Sequence, residues 1–178
     1  MQTPPIFLIR SELWHPLAAH FPIALLTMML VVKCLEVLVG HRPRFHVWGI
    51  LYRFFLYCGA GSLGVTLFSG DVSGDVVKKS LRDVAALYRH EDLAYRVLWL
   101  VLIALAVDIV RRLRPQIPEL ARVLSKRSLQ WVELGISVCA FWFLLKTGYS
   151  GSKLVYEQGA GVTGPAVCRT PVGGALRR

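Results

Sequence analysis

Three histidines, His15, His20 and His90, stand near the same ends of apolar stretches when the chain is read as a set of membrane spans. An unpartnered histidine inside a bilayer is expensive, so a functional role is its default reading. Two neutral imidazoles reaching from opposite helices bind haem iron axially, with the potential set by burial and by the hydrogen bonds behind them. We therefore expect His20 and His90 to be the axial ligands of a haem b, with His15 capping its helix, facing headgroups or touching a quinone. Gly61 and Gly64 remove side chains from the second span at the depth where such a macrocycle would lie, or else they mark close helix packing. Arg96, Lys146 and Lys153 either meet propionates or snorkel to the interface. His41 and His46 fall in a basic connector and are expected to be solvated.

Those histidines need elements to hold them. The chain has 178 residues, 54% hydrophobic and 18% charged, with a mean hydropathy of +0.50; soluble domains average about 25% charged residues. A helix crossing ~30 Å of hydrocarbon needs about 20 mainly apolar residues, and four stretches qualify, near 16–39, 47–70, 93–110 and 129–147. The expected architecture is an all-α membrane protein, an antiparallel four-helix bundle with helices one and three on a diagonal. Helix three is expected to begin near Asp83 and to carry His90. The polar run after Gly70 reads as a turn, Pro115 to Lys126 as a short interfacial segment, and Gly148 to Val162 as an irregular hook. A domain over 1–162 and a flexible tail over 163–178 complete the organisation.

Small and polar residues mark bundle interiors, because lipid tails leave no hydrophobic contrast between inside and outside. That rule selects His20, Ala24, Thr27, Val31 and Cys34 on helix one, and Tyr57, Gly61, Gly64, Phe68 and Asp71 on helix two. On helix three it selects Leu87, His90, Ala94, Val97, Val101, Ala104 and Asp108, and on helix four Gly135, Cys139, Trp142 and Lys146. Lys33, Glu36, Arg53, Asp108 and Glu133 lie toward the opposite ends of the spans, where they are expected to snorkel or pair with one another.

The formal net charge is +10, from 21 Lys and Arg against 11 Asp and Glu. The two short connectors and the starts and ends of the helices beside them hold nine basic residues: Arg42, Arg44, Arg53, Arg111, Arg112, Arg114, Arg122, Lys126 and Arg127. The other side holds six near its span ends, diluted by acids. Positive charge resists translocation, so both termini are expected in the periplasm of a bacterial inner membrane. Anionic lipids explain the basic connectors better than nucleic acid does.

The string HPLAAHFPIAL from His15 to Leu25, the Gly-rich second span ending Gly70-Asp71, the histidine opening the third span, and GSKLVYEQGAGV from Gly151 to Val162 together resemble one family. It is a bacterial family of predicted membrane proteins of unknown function, with HPxxxHFPIAL and GGxLVYxxGxGV motifs. The resemblance implies a four-span bundle whose relatives occur beside or fused to redox modules such as Rieske-type iron–sulfur domains. Two positions depart from the pattern: Ser152 replaces the second glycine, and Gln158 stands where many relatives carry histidine. Tyr156, in the closing motif, either hydrogen-bonds a ligand or cofactor or anchors the interface.

The leading expectation is a b-type haem subunit passing electrons between quinol and a periplasmic partner, a c-type cytochrome or an iron–sulfur protein, within an oxidoreductase complex. The alternative is a cofactor-free anchoring subunit of a larger membrane complex. A third reading places one metal ion among His15, His20, Asp71 and His90. No nucleophile–base pair, phosphate loop or Walker-like string supports independent hydrolase or ATPase activity.

Overall fold

The computed structural model describes residues 13–39, 47–79 and 81–161. His41, His46, Val162 and the expected tail over 163–178 lie outside the described residues. The order is α1 (Trp14–Val39), α2 (Val47–Val77), α3 (Val84–Leu113), a 3-10 turn (Arg114–Gln116), α4 (Pro118–Val123) and α5 (Lys126–Gln158). Four of these helices, α1, α2, α3 and α5, are long and apolar enough to cross a membrane. Helices α1 and α2 form one tight hairpin and α3 and α5 another. The hairpins meet through α1 on α5 and α2 on α3, which leaves α1 and α3 diagonal. The histidine end holds the start of α1 and the end of α5; the connector end holds the 3-10 turn and α4.

Local chemistry sets the boundaries. Pro16 sits in the first turn of α1, where its missing donor would be orphaned anyway. Ser125 caps α5, its hydroxyl accepting from the Ser128 amide at 2.9 Å. Pro115 and Pro118 divide α3 from α4.

Two expected irregular segments are helical. Helix α2 continues beyond Gly70 to Val77, and α5 runs through Gly148 and Gly151 to Gln158. The anticipated hook therefore shrinks to a turn at 159–161, opened by Gly159 at φ +70°, where the amides of Gly159 and Ala160 return to Val155 and Leu154. A helical glycine costs about 1 kcal/mol against alanine. At Gly70 and Gly151 that cost is offset by contact, since a Cβ there would lie 3.0 Å from an imidazole ring atom.

The inward face of α3 is the expected one, with Leu87, Val97, Val101, Ala104 and Asp108 buried. The other three helices are rotated from expectation. Helix α1 buries Pro22, Leu26, Met29, Val32, Lys33 and Glu36; α2 buries Tyr52, Leu56, Gly59, Leu63 and Thr66; α5 buries Leu129, Glu133, Ser137, Ala140 and Leu144. His20 and Ala24 are exposed, as are Tyr57, Gly61, Gly64, Phe68 and Asp71, and all four residues chosen on α5. Apolar side chains cover both faces of every span, so the hydrophobic pattern alone carries little phase. The real close approach is at Gly59, where a Cβ would stand 2.7 Å from Leu26 Cδ2.

Candidate functional site

Each spanning helix carries two special residues eighteen positions apart: His15 and Lys33 on α1, Tyr52 and Gly70 on α2, His90 and Asp108 on α3, Glu133 and Gly151 on α5. Eighteen residues make five turns and about 27 Å of rise, so both members share one face. That length matches the ~30 Å of hydrocarbon in a bilayer. The result is two polar layers, one at each end, fed by all four helices. Between them lies a dry core of Leu26, Met29, Leu56, Leu63, Val97, Val101 and Leu144.

In the layer at the histidine end, the rings of His15 and His90 meet across the diagonal with centroids 6.1 Å apart and planes at 88°. His15 Nδ1 lies 3.0 Å from the Thr66 carbonyl, which only accepts, so Nδ1 carries the proton. His90 Nδ1 lies 2.9 Å from Ser150 Oγ, whose own hydrogen goes to the Thr147 carbonyl at 2.9 Å. That hydroxyl therefore accepts as well. Both rings thus donate from Nδ1, which leaves Nε2 as the atom through which a neutral imidazole would bind a metal. Gly70 and Gly151 supply the backbone surfaces against which the two rings rest.

His20 is placed differently. It is exposed on α1, and its Nδ1 donates 2.7 Å back to the Pro16 carbonyl, so it does not join His90. Gly61 and Gly64 have nothing within 4 Å of a would-be Cβ, so they do not mark a close helix contact within this chain. Arg96 is exposed and pairs with Asp92 at 2.7 Å; Lys146 lies over Trp142, and Lys153 pairs with Glu157 at 3.6 Å. Tyr156 is 88% exposed. Among the described residues, no three His, Cys, Asp or Glu side chains converge as a metal-ligand set, so His15, His20, Asp71 and His90 do not form one together.

The layer at the connector end is a buried ion network. Lys33 pairs with Glu36 at 2.7 Å and with Glu133, and lies 4.2 Å from the centre of the Tyr52 ring. Arg111 reaches Glu36 at 2.8 Å, Asp108 at 3.2 Å and Glu133 at 3.2 Å. Arg112 and the Tyr57 hydroxyl complete the shell of Asp108 at 3.0 and 3.2 Å. Three cations and three carboxylates thus balance in a site where Lys33, Asp108 and Glu133 are fully buried. The expected pairing is present, but only Arg53 among the five residues is left out of the ion pairs described here.

The role of His15 and the part played by Arg111 were missed from sequence. A usable signal existed: counting back from Lys33 by five turns lands on His15 and passes through Met29, Leu26 and Pro22, the buried face. The charged residue, not the small ones, marks the phase.

A family model described as a predicted membrane protein matches residues 13–164. The chain belongs to this family, DUF2231. Membership fits the four membrane-spanning helices and covers both polar layers. No curated protein matches the DUF2231 chain, and no solved structure does.

Whether a haem suits these residues is decided by the donors. His20 and His90 do not fit, because they do not meet. His15 and His90 do meet, with ring centroids 6.1 Å apart, and are the pair that would hold the iron. The positions bordering the rings, Thr66, Gly70, Ser150 and Gly151, carry nothing larger than threonine.

Proposed function

We propose that this DUF2231 chain is a b-type haem subunit that passes electrons between quinol in the bilayer and a redox partner at the histidine end. The observation that carries the reading is the diagonal His15 and His90 pair, each ring anchored through Nδ1 so that Nε2 is the atom it would offer to iron. His15, in place of the His20 expected from the sequence, would hold the iron together with His90. A bound haem would supply a one-electron carrier whose potential is set by its ligands and its burial. The Thr66 carbonyl and the Ser150 hydroxyl hold the rings in orientation. His20, exposed and with its own Nδ1 bonded to Pro16, presents a lone pair to the lipid side, where it is suited to accept a proton from quinol.

The basic connectors support a cytoplasmic connector end, which puts both termini and the histidine layer on the periplasmic side of an inner membrane. The partner is then a periplasmic c-type cytochrome or iron–sulfur protein. The apolar core between the layers supports electron transfer without a proton channel.

A second reading, a cofactor-free anchoring subunit, is favoured by one observation: each imidazole already has a hydrogen-bond partner and an edge-on ring contact. The reduced-minus-oxidised absorption spectrum of the detergent-purified chain separates the two. The haem reading expects a Soret band lost in His15→Ala and His90→Ala, with helical circular dichroism retained, and kept in His20→Ala and His41→Ala. Colourless wild-type protein that copurifies with other subunits at fixed stoichiometry would replace it with the second reading.

A further inference from the structure

We propose that a cleft at the connector end is a binding site for a phosphate group. The cleft holds about 340 Å³ and is walled by the ends of α1 and α3, the starts of α2 and α5, and the 3-10 turn. Five cations and two carboxylates line it. Both carboxylates are already engaged: Glu36 by Lys33 and Arg111, Asp108 by Arg111, Arg112 and the Tyr57 hydroxyl. The other three cations, Arg53, Arg114 and Lys126, have no carboxylate partner among the described residues.

Geometry turns this surplus into a site. Arg53 uses Nε on the Gly49 carbonyl at 2.9 Å, which fixes its stem and leaves its two Nη groups available as donors. Arg114 binds the carbonyls of Leu124 and Ala121, which ties α4 to the cleft wall and holds the guanidinium in place. Lys126 opens α5, so its charge adds to the positive end of that helix dipole. The network behind the wall is neutral and does not quench the surplus. Guanidinium forks match the oxygens of a phosphate, and three uncompensated cations around one opening suit a mono- or dianionic oxyanion.

Two sources present this chemistry: the headgroup of an anionic phospholipid and free phosphate. Neither requires a cofactor at the histidine layer, so the proposal stands apart from the haem reading.

The test uses the full chain in detergent, with saturable binding read by native mass spectrometry and by thermal shift. The probes are inorganic phosphate, short-chain phosphatidylglycerol and short-chain phosphatidylcholine. The expected result is saturable binding of phosphate or phosphatidylglycerol that weakens at least about tenfold in Arg53→Gln/Lys126→Gln, two changes outside the ion network. Lys153→Gln, at the other end, leaves it unchanged. Binding of phosphatidylglycerol but not inorganic phosphate assigns the site to a lipid; binding of inorganic phosphate assigns it to the soluble anion. The proposal is overturned if neither probe binds saturably, if a folded double variant binds as wild type does, or if phosphatidylcholine binds as well as phosphatidylglycerol.

Discussion

Lys33→Met tests whether the buried ion network locks the four helices together. Lys33 is completely buried, and removing it leaves Glu36 and Glu133 to share Arg111 with Asp108, three carboxylates against two arginines. At an effective dielectric of ~20, a single pair at the 2.7 Å of Lys33 and Glu36 attracts by about 6 kcal/mol. Desolvation offsets much of that in the intact network, but a carboxylate stranded in the interior costs about 3–5 kcal/mol. For a chain of this length each kcal/mol moves the melting temperature by roughly 2–4 °C, so thermal unfolding in detergent is expected to fall by roughly 10 °C. Lys33→Met/Glu133→Gln restores neutrality, leaving Arg111 and Arg112 opposite Glu36 and Asp108. It is expected to recover at least half of the loss, so the coupling in the double-mutant cycle is at least about 2 kcal/mol in magnitude. A single variant that melts within about 2 °C of wild type, or a double variant as damaged as the two single changes added together, would refute the reasoning.

Four further outcomes follow from local geometry. Gly59→Ala drives a methyl to 2.7 Å from Leu26 Cδ2 and is expected to cost about 1–3 kcal/mol. Gly61→Ala and Gly64→Ala meet nothing within 4 Å and are expected to gain up to about 1 kcal/mol each without altering any absorption spectrum; thermal unfolding and spectra of the three variants check this. Gly159→Ala forces a side chain into φ +70° at a cost of about 1–2 kcal/mol, so hydrogen exchange at the amides of residues 159 and 160 should quicken while the rest of α5 is unchanged. The Arg89 guanidinium, 2.9 Å from Asp83, holds that carboxyl below the ordinary aspartate range. Its small contribution is present above the ordinary aspartate value and is lost as pH falls through the lowered one; carboxylate NMR titration of Arg89→Gln should return Asp83 upward.

Length and hydropathy were enough to show four spans, their order and their antiparallel pairing, because a bilayer imposes a nearly fixed length of apolar helix on any chain that crosses it. The break after α3 at Pro115 was legible for a local reason, since a proline acts within one turn of itself; the cap at Ser125 was not read. Helix rotation was not legible in this way. Facing lipid on one side and leucine on the other, α1, α2 and α5 carry apolar residues all round, and Gly61, Gly64 and Cys139 resembled an interior stripe while lying outside it. Only α3 was phased correctly, since Asp108 and His90 sit five turns apart on one face and neither is cheap to leave in hydrocarbon.

What the sequence determined by itself was the inventory: four apolar helices with histidines near one end and opposing charges near the other. What only the tertiary structure decided was which histidine meets His90, and that Arg111 joins three carboxylates from three helices. The choice between His15 and His20 is a rotation of α1 about its axis, and it is settled by burying Lys33 against Glu133, a partner one hundred residues away that no local pattern on α1 contains.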